Sequence, residues 1–226
     1  MSETYVDLSK PITARLVVFF APGSTFRSIS VAASLPSEVV DLFQGKEPAV
    51  LSLPSDTPNS YPRLVLSGDD ADLVISYERA DFRMTVPGHP DRDQKIRSTM
   101  VRLVQNLHRE HNLSLDRMAF VLKLPFNDNI DINRLLNTYV HRSKLRGSTG
   151  LVLSWSKRLS LGGQEVNQRI RLQYDGGLPN EERSITIDTN TPADEERNID
   201  EHTADRLISA VQSLVKEDLA SVIEWS

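Results

Sequence analysis

Twice along the chain the spacing of apolar residues changes from every second residue to every third or fourth, with prolines and acids at the change. In FRMTVPGHPDRDQKIRSTMVRLV the alternation stops at Pro87 and Pro90, and Ile96, Met100, Leu103, Val104 and Leu107 then form a helical stripe. In SITIDTNTPADEERNIDEHTADRLISAV the same order leads to Leu207, Ile208, Val211, Leu214, Val215, Leu219 and Val222. A segment of period two buries one face of a sheet, a segment of period 3.6 buries one stripe of a helix, and each must cover the other. The expected fold is therefore α+β: a mainly antiparallel sheet with long helices, about 93–111 and 200–222, packed on one face. Two similar sheet-then-helix halves, 1–113 and 114–226, packed as one unit, fit this order. The halves share a pattern and not an identity, so internal duplication and the common layout of α+β domains both account for it.

Within the first half, Ile12, Ala14, Leu16, Val18 and Phe20 alternate, while Val17 and Phe19 make the same run apolar on its other face, which marks an interior strand. Phe26, Ile29, Val31, Ala33 and Leu35 read as its hairpin partner across the Pro22-Gly23-Ser24 turn. Residues 36–62 form a Pro-rich insert that opens with a short helix from Ser37 to Gln44. RLVLSG, DLVISYE and DFRMTVPG then read as a meander of short strands. In the second half, Met118, Phe120, Leu122 and Leu124 predict a strand, and Ile132 to Val140 a short helix. After the basic linker HRSKLRGSTG, a hairpin is expected around Gly162-Gly163, followed by the strand RSITIDTN.

The strand LSLDRMAFVLKLPF with its short helix, and the ending ITIDTNTP…DRLISAVQSLVKEDLASVIEW, resemble an uncharacterised, sporadically distributed family of bacterial proteins of similar length. The resemblance covers the second half. It implies a layout of strands and helices and brings no activity, cofactor or site residues. This chain has Met118-Ala119-Phe120-Val121 where the family pattern leads one to expect an Arg- and Tyr-rich strand.

Composition narrows the chemistry. The 226 residues contain no cysteine, which removes disulfides, thiolate metal ligands and thiol nucleophiles. The start carries no basic-then-apolar leader, and the run from Leu16 to Ala21 is too short to span a bilayer, so a cytoplasmic protein without membrane contact is expected. A formal net charge of −5 disfavours a protein devoted to coating nucleic acid.

No motif supplies a cofactor site, and none is expected. His108 and His111 are three apart at a helix end, without a third ligand marked in sequence. Asn127 to Asn133 resembles a calcium loop, but Ile132 stands where the loop needs Gly, and Thr138 where it needs Glu. The acids Asp69, Asp70 and Asp72, and Asp194, Glu195 and Glu196, fall in turns, where charge is normally solvated. Neither a phosphate loop nor a nucleophile elbow occurs, and no catalytic residue is assigned.

The densest cationic pattern is Arg142, Lys144 and Arg146, with Lys157 and Arg158 on the next strand and Arg169 and Arg171 on its partner. On antiparallel neighbours these side chains can converge into a basic surface. Three function classes follow. The leading one is a non-enzymatic protein-interaction module, an accessory, chaperone-like or neutralising partner of another bacterial or phage protein. The alternatives are nucleic-acid or phosphate-ligand binding on the basic sheet face, and an enzyme with a dispersed site.

Overall fold

The computed structural model describes residues 6–126, 150–161, 163–175, 183–192 and 199–217. Its centre is the strand with two apolar faces, β1 (Ile12–Phe20), paired antiparallel with β5 (Arg79–Val86) on one side and β6 (Leu115–Pro125) on the other. Outward from β5 run β4 (Ala71–Ile75), β3 (Leu64–Ser67) and the two-residue β2 (Ala49–Val50). Outward from β6 run β9 (Arg183–Asn190), β8 (Gln164–Asp175) and β7 (Gly150–Leu161). The result is one nine-stranded antiparallel sheet, β2-β3-β4-β5-β1-β6-β9-β8-β7.

Alternation along these strands assigns each side chain to a face. Leu66, Leu73, Phe82, Leu16 and Phe120 are direct cross-strand neighbours on one face, and all are 0–1% exposed. Against that face lie α3 (Arg92–Gln105) and α4 (Glu201–Glu217). α3 packs on β1 and β5, α4 on β6 and β7, and the two helices pack on each other. Ile96, Met100, Leu103 and Val104 of α3 and Leu207, Ile208 and Val211 of α4 are buried in the shared core, as their spacing predicts. Asp200 caps α4, its carboxylate accepting from the backbone N–H and hydroxyl of Thr203 at 2.8 Å each.

Two expectations need correction. The helices are shorter than expected: α3 stops at Gln105 and passes into a π turn over Asn106–Glu110, while α1 (Ser28–Ser34) and α2 (Ser37–Val40) span seven and four residues. The partner strand expected over Phe26–Leu35 is absent, and α1 stands in its place. Val31 and Leu35 are buried and sit four residues apart, as on a helix, while Ile29 is 72% exposed. No place remained for a strand, because β5 and β6 occupy both edges of β1. The short helix expected over Ile132–Val140 lies outside the described residues.

Among the described residues, no helix is long and apolar enough to cross a membrane.

Candidate interaction surface

The second face of the sheet carries no helix among the described residues, and its side chains come from the positions that alternate with the core residues, charged, hydroxyl-bearing and apolar together. One row across it reads Ser67, Asp72, Arg83, Arg15, Val121, Asp188, Arg169, Ser156, each residue opposite the next in register. Ion pairs connect neighbours. Arg15 donates to both Asp81 oxygens, Nε to Oδ1 at 2.8 Å and Nη2 to Oδ2 at 2.5 Å, and Arg83 Nη2 contacts Asp72 Oδ2. The bond to Asp81 raises the Arg15 guanidinium pKa, and the charge of Asp188 adds to the rise. Arg169 Nε donates to Ser154 Oγ at 2.8 Å, and Arg158 lies 3.8 Å from Glu165. Arg117 stacks its guanidinium over Phe19, 4.4 Å from the ring centre.

One step along the strands a second row runs Thr85, Thr13, Lys123, Thr186, Arg171, Ser154. It holds hydroxyls and two cations and no carboxylate. The Thr13 and Thr85 hydroxyls lie 3.3 Å apart, and Lys123, Arg171 and Ser154 are exposed.

Of the residues singled out in sequence, Arg158, Arg169 and Arg171 share this face. Lys157 does not: it is opposite Gln168, itself opposite Thr189, so it belongs to the helix-covered side, exposed at the β7 edge. Arg142, Lys144 and Arg146 lie outside the described residues. Sequence reasoning missed Arg15, Arg83, Arg117 and Lys123 from the central strands. For three of them the signal was present: Arg15 stands between Ala14 and Leu16, Arg83 between Phe82 and Met84, and Lys123 between Leu122 and Leu124, while Arg117 follows Asp116. They are spread singly along the chain, so a search for local cation density passes over them.

The two histidines serve different partners. His108 Nδ1 lies 3.4 Å from Glu201 Oε2, beside Arg109 on the same carboxylate. Burial pushes the Glu201 carboxyl up, but its own backbone N–H, His108 and Arg109 together bring it below the usual value. This cluster fastens the first residue of α4 to the π turn. His111 Nε2 lies 2.7 Å from Ser34 Oγ, and burial lowers the His111 pKa, so the imidazole is neutral near pH 7. Among the described residues no group of three or more His, Asp or Glu side chains is placed to hold a metal.

A hydroxyl beside a neutral imidazole suggests a nucleophile and its base. The surroundings do not complete that chemistry. Ser34 ends a seven-residue helix, whose carbonyl end has the wrong polarity for a developing oxyanion, and Asn106 Nδ2 is committed to the Ser34 carbonyl at 2.8 Å. The pair works as a clamp that ties α1 to the π turn. Between α3 and α4 an open groove of about 600 Å³ is lined by Arg97, Ser98, Gln105, Asp205 and Gln212, and the Arg97–Asp205 pair bridges it. Asp205 is lowered chiefly by that bond. The Arg97 and Asp205 charges that line the groove thus satisfy each other.

No protein-family profile matches the chain, and no curated protein matches it. Among solved structures, a rolling circle replication initiator protein from Geobacillus stearothermophilus aligns over 93% of this chain and 80% of its own, at 13% identity and a TM-score of 0.31. The apo immunity protein TplEi of the T6SS of Pseudomonas aeruginosa aligns over 90% of each chain, at 8% identity and a TM-score of 0.16. At such scores neither likeness carries an argument about this chain.

Proposed function

We propose that this chain is a non-enzymatic protein-interaction module of the cytoplasm, which docks its partner on the sheet face opposite α3 and α4. The observation that supports this reading is the inequality of the two faces: α3 and α4 fill one, and no described element lies on the other. Charged sheet faces with small apolar centres such as Val17, Ala119 and Val121 suit protein docking, with a dry middle and a polar rim. Accessory, chaperone-like and neutralising roles are all forms of this one activity.

The same reading extends to the two halves, 1–113 and 114–226, as one duplicated unit. Read inward from the two sides, β3-β4-β5-β1 and β7-β8-β9-β6 follow the same order: a three-strand meander, then the strand that opens its half. Each meander is followed in the chain by a helix that packs on one of its strands and on the strand that opens the half.

The test is cross-linking in cells of the full chain at native expression, with quantitation of what co-purifies. Wild type and Ser213→Arg, on the exposed side of α4, should retain a partner that Ala119→Arg, at the centre of the open face, loses. Recovery of the chain alone, or a partner kept by Ala119→Arg, removes the proposal.

A further inference from the structure

We infer that the open face receives an acidic segment of a partner protein, laid across the strands on the row of hydroxyls and cations around Lys123 and Arg171. The inference rests on the docking reading above and specifies the chemistry of its occupant.

Charge comes first. The whole chain is acidic, at formal net −5, yet among the described side chains the open face carries more cations than acids. Among the described side chains its strand acids, Asp72, Asp81, Asp188 and Glu165, stand in the Arg15 row or further from the Thr85 row, opposite or beside arginines. The row from Thr85 to Ser154 contains none. Six strands contribute to that row. At about 4.8 Å between strands it is about 24 Å long, the length of roughly seven extended residues. Hydroxyl donors beside Lys and Arg satisfy carboxylate oxygens with charge-assisted hydrogen bonds.

Nucleic acid presents anions too, but two features of the face disfavour it. Asp188 projects two residues from Thr186 on the same strand and would repel a phosphate backbone. Phe19, on the same face, is already covered by the Arg117 guanidinium, which leaves it unable to stack a base. Carboxylate side chains borne on a peptide can be spaced to avoid Asp188, whereas phosphates recur at every nucleotide.

The experiment is fluorescence anisotropy on the full chain, with a labelled oligoglutamate of about 12 residues and a labelled oligothymidylate of equal length, at about 20 mM and about 150 mM salt. Wild type should bind oligoglutamate saturably, and more weakly at the higher salt. Lys123→Glu with Arg171→Glu should weaken binding at least tenfold, and the gentler Lys123→Gln with Arg171→Gln severalfold, both with an unchanged urea midpoint. Arg97→Glu, on the helix side, should leave binding unchanged. The inference is overturned by absent oligoglutamate binding, by insensitivity to both pairs of substitutions, or by tighter binding of the oligothymidylate. If oligoglutamate fails while Ala119→Arg still sheds the cross-linked partner, the docking face stands and its acidic occupant does not. If both fail, both readings fall.

Discussion

The two faces of the sheet are built from the same strands, one residue apart, and differ in what holds them. Down the covered face run Leu66, Leu73, Phe82, Leu16, Phe120, Thr189, Gln168 and Lys157. Their chain neighbours on the open face are Ser67, Asp72, Arg83, Arg15, Val121, Asp188, Arg169 and Ser156. On the first, stability comes from apolar area removed from water; on the second, from solvent-screened ion pairs of small net value. The open face can therefore evolve its charges for recognition at little cost to folding. The covered row itself turns polar towards β9 and β8, where Thr189 and Gln168 are buried at 0 and 1% exposure.

The sharpest way to break this contrast is a pair of substitutions at adjacent positions of β5. Phe82→Ala should cost about 3–5 kcal/mol in urea unfolding, as expected for a buried aromatic cut to a methyl. Arg83→Ala, facing the other way, should cost under about 1 kcal/mol. Equal losses would mean that the faces are not energetically distinct.

A second test concerns the polar end of the covered row. Gln168 Nε2 reaches Thr189 Oγ1 at 3.4 Å, and Gln168 Oε1 is buried without a partner among the described residues. Replacing both residues by apolar ones of similar shape, Gln168→Met with Thr189→Val, should leave stability unchanged or raise it by about 1 kcal/mol, because the amide no longer has to be desolvated. A loss of several kcal/mol would show that this polar pair specifies the fold.

On the open face, a double-mutant cycle on Arg15 and Asp81 should give a coupling below about 1 kcal/mol that fades in about 1 M salt. A salt-resistant coupling would place this pair in a drier setting than the contrast allows.

The smallest effect concerns pH. Folding lowers the His111 pKa from the ordinary 6.5 through burial, so the folded state binds fewer protons than the unfolded one just below that pH. The contribution from neutral His111 is therefore fully present above pH 6.5 and is lost as pH falls towards the lowered folded value. His111→Gln should flatten the thermal midpoint just below pH 6.5, leaving the loss at more acid pH, where Glu201 and Asp205, both lowered by folding, take up protons. An unaltered slope in the variant would assign that window to other groups.

Much of this architecture was legible from period alone. The meander of β3 to β5, the β7–β8 hairpin and the inward stripes of α3 and α4 all follow from spacing that a single window of sequence contains. The segment Phe26–Leu35 was not legible, because over so few residues its apolar positions satisfy both periods. What excluded a strand was β6, which arrives from far along the chain to take the second edge of β1. The candidate surface divides in the same way. Arg169 and Arg171 could be placed on one face from alternation, but joining them to Lys123, Arg15 and Arg83 required the strand order.

By itself, then, the sequence determined which residues of each strand face together, since side chains alternate by backbone geometry whatever the neighbours are. The tertiary structure alone decided which strands are neighbours, and so which cations, acids and hydroxyls form a row. Strand pairing is a non-local choice, made by burying the covered face under α3 and α4. The open row of Thr13, Lys123, Thr186 and Arg171 is a consequence of that burial, because a register that aligns the core side chains aligns their outward neighbours as well.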